Sequence, residues 1–148
     1  MEQLALHMKG SLILTLAKVD GSVEVVRKDN IIVNAGFDFI CDSIGLAASR
    51  PGVMSHIAIG TGATAPVATQ TTLATELVRQ AANYTHTAGT KVFTMTTTFA
   101  AGVGTGGITE AAVLNASSGG TMFDRVTFSV VNKGVDDTLT AQFQFTLS

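Results

Sequence analysis

The sequence predicts an all-β protein: an antiparallel β-sandwich with Greek-key or jelly-roll connections and one or two short helices. Three observations predict it. Residues 138–147 alternate strictly, with Leu139, Ala141, Phe143, Phe145 and Leu147 on one face and Thr138, Thr140, Gln142, Gln144 and Thr146 on the other. That is the pattern of a strand packed on one side in an antiparallel sheet. Thr is the commonest residue, with 21 copies beside 15 Gly and only 2 Pro; β-branched Thr favours strands, and Gly marks the turns between them. Short alternating or apolar runs recur between turn signals, the spacing typical of sandwiches and barrels.

Taken in order, residues 1–10 form an N-terminal arm or an edge strand, and residues 11–148 a single sandwich domain. In the arm, Leu4, Leu6 and Met8 alternate with Gln3, Ala5 and His7. This period of two is what an added strand needs when it pairs with an exposed sheet edge. Leu4, Leu6 and Met8 are therefore the candidate contacts to a neighbouring chain. The bland alternative is that they begin the protein's own first strand.

From Ser11, Leu12, Leu14 and Leu16 share one face of a strand, and Asp20-Gly21 supplies a hairpin turn. The return strand runs through Ser22–Val26 and Ile31–Val33, interrupted at Lys28-Asp29-Asn30, a trio that reads as a solvated turn or bulge. Asn34 is placed to cap a helix over Ala35–Ala48, with Phe37, Ile40, Cys41, Ile44 and Ala48 forming an apolar stripe and Asp38 in the first turn. Cys41 on that stripe reads as a small core residue. Further on, His56–Ile59 reads as a strand. Thr71 or Thr72 is expected to cap a second short helix through Gln80. Phe93, Met95, Thr97 and Phe99 alternate. Ile108–Leu114 and Thr121–Val130 are further strands, separated by the turn Ser117–Gly120, and Asn132-Lys133-Gly134 opens the last turn.

The length of 148 residues suits one domain with a core that needs no staples. Nine basic and eleven acidic residues give a net charge of −2, and charged residues are 14% of the chain, against about 25% in an average domain. So thin and balanced a charge argues against nucleic acid as the main partner. One cysteine excludes an internal disulfide framework and a Cys-rich zinc site. No signal peptide or membrane span is visible, so the chain is expected to be made in a cytoplasm and to stay there unless something carries it out. On that expectation the glycosylation patterns at Asn83-Tyr84-Thr85 and Asn115-Ala116-Ser117 are chance matches.

Chemistry-bearing patterns are few. Gly102–Gly107 superficially resembles a dinucleotide fingerprint, but the residues after it read as a strand, not the helix the mechanism requires. The loop at Gly60 lacks the Lys-Ser/Thr ending of a phosphate cradle. His7, His56 and His86 are scattered. Asp136-Asp137 reads as a solvated turn, without the rest of a calcium loop. Glu110 is the one acid inside an apolar stretch, and it is expected to pair with Arg79 or Arg125. No catalytic residue, metal site or cofactor is expected, and the chain is not expected to be an enzyme.

An ordered series of segments resembles a family of small virion structural proteins of tailed bacteriophages. The segments are Asn30–Gly36, His56–Gly62 followed by Ala65-Pro66, Leu73 with Glu76 and Arg79, and Ile108–Ala111 with Leu114–Ala116. They continue through Gly119–Met122, Arg125, Phe128, Asn132-Lys133 and Asp137–Leu139. Members include head decoration (cement) proteins and tail or fibre components. The resemblance implies a capsid decoration protein on the outer face of the virion, bound to the major capsid protein lattice and stabilising the head, as a homotrimer, with no direct nucleic-acid or membrane contact. The alternatives are a tail, baseplate or fibre component and a carbohydrate-binding module. Against the last, the chain has no Trp and a single Tyr, Tyr84.

Overall fold

The computed structural model describes residues 5–148. Ten strands and one helix follow in order: β1 (Met8–Ala17), β2 (Val23–Asp29), β3 (Ile31–Ile32), α1 (Asn34–Gly45), β4 (His56–Gly60), β5 (Glu76–Ala81), β6 (Asn83–His86), β7 (Val92–Phe99), β8 (Gly106–Leu114), β9 (Asp124–Lys133) and β10 (Thr138–Leu147). They form two five-stranded sheets, β2-β1-β10-β7-β6 and β3-β9-β8-β4-β5, with antiparallel pairing throughout. The protein is an all-β antiparallel sandwich. The chain crosses between sheets after β7 and again after β9, and β10 returns to lie beside β7 between it and β1.

Alternation builds the core. Leu12, Leu14 and Leu16 of β1 are buried opposite Phe143, Ala141 and Leu139 of β10. Phe99 and Met95 of β7 continue the same inner layer. The facing sheet contributes Ile57, Ile59, Ile108, Ala111, Val113 and Val126. Burial of these side chains, at about 25 cal/mol per Å², is the main stabilising term.

The second sheet is covered on both faces. The connection 61–75 lies over its outer side, where Leu73 packs with Ala58, Ala112, Leu114, Val33 and Met122 as a second apolar cluster. That is why β4 and most of β8 read as unbroken apolar runs rather than alternating ones. A register shift between Ile108 and Glu110 lets the strand place Ile108 in the main core and Glu110 under the covering loop.

At each side of the sandwich one long strand bends from one sheet into the other. β2 becomes β3 at Asn30, and β5 becomes β6 at Ala82. The first bend is held by the Asn30 N–H donating to the Gly10 carbonyl at 3.2 Å. Gly10 is required there, because the Asn30 carboxamide fills the space a Cβ would need.

Several local expectations are corrected. Residues 71–80 hold no helix. The chain is irregular to Thr75 and then enters β5, because pairing with β4 outweighs weak local helix signals. Helix α1 spans Asn34–Gly45 and ends before Ala48. Val33, without a side-chain hydrogen bond, occupies the N-cap in place of Asn34, and no acid lies in the first turn, so Asp38 does not hold the dipole position expected of it. The expected apolar stripe is turned outward: Phe37 is 51% and Ile44 80% exposed, and Cys41 is exposed rather than in the core. Of that stripe Ile40 alone turns inward, and it packs on the core beside Phe39, with Gly36 pressed on the Phe123 carbonyl. In the trio at 28–30, Lys28 and Asp29 are exposed, but Asn30 is half-buried and bonded to Asp124. Of the Asp136-Asp137 pair, only Asp136 is solvated. Asp137 is buried and clamps two turns, accepting from Gly134 N at 2.7 Å and Val19 N at 3.2 Å. Strand β9 starts at Asp124, later than expected, and runs on through Lys133. Lys133 is itself buried, and its Nζ donates to the Ala100 carbonyl at 3.0 Å.

Candidate functional site

At one end of the sandwich the two sheets part, and α1 forms the third wall of an apolar cleft of about 280 Å³. Inward-facing residues of several strands build its floor: Phe93 and Met95 of β7, Phe145 of β10 and Val113 of β8. The aromatic rings hold one another in place. Phe93 stacks on Phe145 with centroids 4.9 Å apart, Phe123 meets Phe145 edge-on at 5.2 Å, and Tyr84 leans on Phe93 at 5.8 Å. Such contacts contribute roughly 0.5–1.5 kcal/mol each beyond area burial, so the floor is preorganised. Ile44 and Tyr84 form the rim and are 80% and 59% exposed. The cleft's volume lies at the lower end of the range of about 300–1,000 Å³ usual for small-molecule pockets, and it would also hold a few apolar side chains.

The arm residues singled out by their alternation meet this cleft at one point. Met8 opens β1, pairs with Leu147 and lines the cleft. Leu6, two residues earlier, is 78% exposed. Leu4 lies outside the described residues. The His7 backbone exchanges hydrogen bonds with Ser148 at 2.7 and 2.9 Å, so the chain from His7 onward belongs to the protein's own sheet.

A second constellation lies under the 61–75 loop. Of the two partners open to Glu110, the fold selects Arg125: Nη2 is 2.8 Å and Nε 3.0 Å from Oε2, and both side chains are fully buried. Arg79 instead pairs with Glu76 at 2.7 Å and donates to the carbonyls of Ala116 and Gly119. Glu110 also accepts the N–H groups of Gly62, Ala74 and Thr75 at 3.0, 2.9 and 2.7 Å. Arg125 reaches on to Thr64 O and Gln70 Oε1 at 2.8 and 3.1 Å. Burial raises the Glu110 pKa, but the N–H donors of Thr75 and Ala74, then Arg125 and Gly62, outweigh it and hold the carboxyl below its usual range. Gly60 and Gly62 leave room for this carboxylate; a Cβ on Gly62 would stand 2.6 Å from Oε1. Gly60, Gly62, Glu110 and Arg125, far apart in sequence, therefore converge on one loop-locking cluster.

The remaining candidates stay apart. His56 Nδ1 bonds Ser55 Oγ at 2.8 Å and His86 Nδ1 the Val92 carbonyl at 2.7 Å, and among the described residues no group of three or more His, Cys, Asp or Glu could hold a metal ion. Gly102, Gly104 and Gly106 have positive φ in the turn that carries the chain from β7 to β8, where L side chains are disfavoured. No helix among the described residues is long and apolar enough to cross a membrane. What sequence reasoning missed is the cleft itself, together with Asp124, a fully buried acid at the head of β9. Comparison with protein-family models, curated proteins and solved structures finds no match.

Proposed function

We propose that this chain is a structural protein of the tailed-phage virion: a capsid decoration protein that sits on the outer face of the major capsid lattice and clamps neighbouring subunits. The observation that carries the reading is the apolar end of the sandwich, where a preorganised cleft opens between exposed Ile44 and Tyr84. Phe37 and Cys41 extend the apolar face of α1 outward. Exposed apolar surface of this kind marks a protein–protein interface, and an apolar cleft open at its rim receives protein side chains well. The frame behind it is stiff, since the long loop is locked by Glu110 and Arg125, so little ordering entropy is lost on docking. The low charge makes such docking insensitive to salt.

Assembly as a homotrimer, with exposed Leu6 and the cleft-lining Met8 as inter-subunit contacts, belongs to the same proposal. A cryo-electron map of the phage particle tests it directly. The expected result is density for the sandwich on the capsid exterior at three-fold positions, with the α1 end against a neighbour. Density in the tail or baseplate would replace the reading with the tail-component alternative. Absence from the particle would end both.

A further inference from the structure

The corner where β2 becomes β3 contains a buried acid with no cation. Asp124 has no exposed surface. Its Oδ1 accepts the Val113 N–H at 2.9 Å, and its Oδ2 lies against the Asn30 amide Nδ2. The other half of that carboxamide is orphaned: Asn30 Oδ1 is buried without a hydrogen-bond partner. A buried carboxyl bonded to one half of a carboxamide whose other half lacks a donor is one proton short of a complete network.

We propose that Asp124 and Asn30 form a proton-operated latch at this corner. With the carboxyl protonated, its O–H is the donor that Asn30 Oδ1 lacks, and acid and amide bond reciprocally. With the proton lost, a buried charge held only by the Val113 and Asn30 N–H groups and an orphan acceptor remain, with no cation beside them, and the corner loosens. What loosens is specific. Ile32 pairs with Asp124 itself and Ile31 with Arg125; Val33 N donates to Phe123 O at 3.2 Å to start α1. The latch therefore governs how firmly α1, one wall of the apolar cleft, is seated on the sandwich.

The surroundings agree. Burial, the first cause, pushes the Asp124 carboxyl up to about 7, against which the bonds from Val113 and Asn30 pull only partly. No charged side chain contributes. On β9 itself Arg125 turns away to Glu110 of β8. Lys9 of β1, Lys28 and Asp29 of β2, and Asp38 and Asp42 of α1 are all exposed. A carboxyl whose folded pKa lies above the ordinary 3.8 contributes stability that is full below that value. The contribution falls as pH rises and is gone above about 7.

The test is native-state hydrogen exchange of the Ile32 and Val33 amides between pH 5 and 8, in the wild type and in Asp124→Asn, which keeps a donor and cannot ionise. In the wild type the protection factors of these amides should fall with rising pH, by up to tenfold per pH unit below the carboxyl's midpoint. In Asp124→Asn they should stay level. Wild-type protection that does not change over this range, or a variant that keeps the wild-type slope, overturns the latch. Carbon-13 NMR of the wild-type Asp124 carboxyl decides the matter even if the variant does not fold: a midpoint near 7 supports the latch, and one near 4 removes it.

Discussion

Arg125 Nη2 lies 2.8 Å from Glu110 Oε2, and neither side chain is exposed to solvent. The pair joins β9 to β8 and also holds the long connection between β4 and β5, because the same carboxylate takes three backbone N–H groups of that loop. Its removal therefore acts on a whole segment.

Arg125→Met leaves the Glu110 charge buried without its partner. Breaking one side of a buried pair costs about 3–5 kcal/mol, and in a chain of this size that lowers Tm on the order of 10 °C. Limited proteolysis should also cut the variant within residues 61–75. A variant that melts with the wild type and resists the protease would contradict the role given to the pair.

Glu110 and Asp124 titrate with opposite consequences. The Glu110 pKa is depressed, so its contribution is present above about 4.5 and is lost as pH falls through the lower folded value. The Asp124 pKa is raised to about 7, so its contribution declines between the ordinary 3.8 and that value. Thermal melts across pH should show highest stability on the acidic side of neutrality, with decline toward both acid and pH 8. A curve that climbs steadily from pH 5 to 8 would contradict this.

Phe143 and Phe145 of β10 are fully buried, and Phe145 touches the rings of Phe93, Phe123 and Phe143. Truncating either to Ala should cost about 3–5 kcal/mol, read from denaturant midpoints. An unchanged midpoint for Phe143→Ala would show that the strand face is wrongly assigned.

Gly10→Ala puts a methyl where the Asn30 carboxamide stands. That carboxamide is held by Asp124, so it cannot swing aside freely. Overpacking of this kind costs about 1–3 kcal/mol. A melting curve identical to wild type would mean that the corner is slack.

Ile44→Asp changes a side chain that is 80% exposed on the cleft rim. Stability should move by less than about 0.5 kcal/mol, whereas the capsid binding that the proposed function requires, measured by co-sedimentation with particles stripped of the protein, should be lost. Binding at wild-type occupancy would remove this end of the molecule from the interface.

The fold was largely legible because most strands carry their own pattern. β10 shows both faces in its alternation, and Asp20-Gly21 marks the first hairpin, where Gly21 has φ 89°. The mistaken helix at 71–80 rests on Thr71 or Thr72 as a cap, with Glu76 near the expected start and Arg79 near the expected end, where an acid and a base suit a helix dipole. Glu76 and Arg79 do pair, but on a strand: the register shift beside Ile59 and Gly60 inserts an extra residue at Leu77 and returns both side chains to one side. The outward stripe of α1 was legible as apolar but not as exposed, since periodicity reports a face and not what covers it. The cleft escaped entirely. It is assembled from β7, β8, β10 and α1, which no local pattern connects. The partner of Glu110 was narrowed to two arginines, and only the pairing of β8 with β9 could choose between them.

The bends at Asn30 and Ala82 also bear on what the molecule can become. An open sheet edge invites another chain to extend it hydrogen bond by hydrogen bond, without limit. Here β2 runs only seven residues, Val23–Asp29, before turning away, and β6 only four. Glu24, Arg27, Lys28 and Asp29 stud the longer of the two. A molecule shaped this way is a poor template for fibres. It remains a discrete unit even at high concentration, because neither strand offers a long bare edge for the next copy to extend.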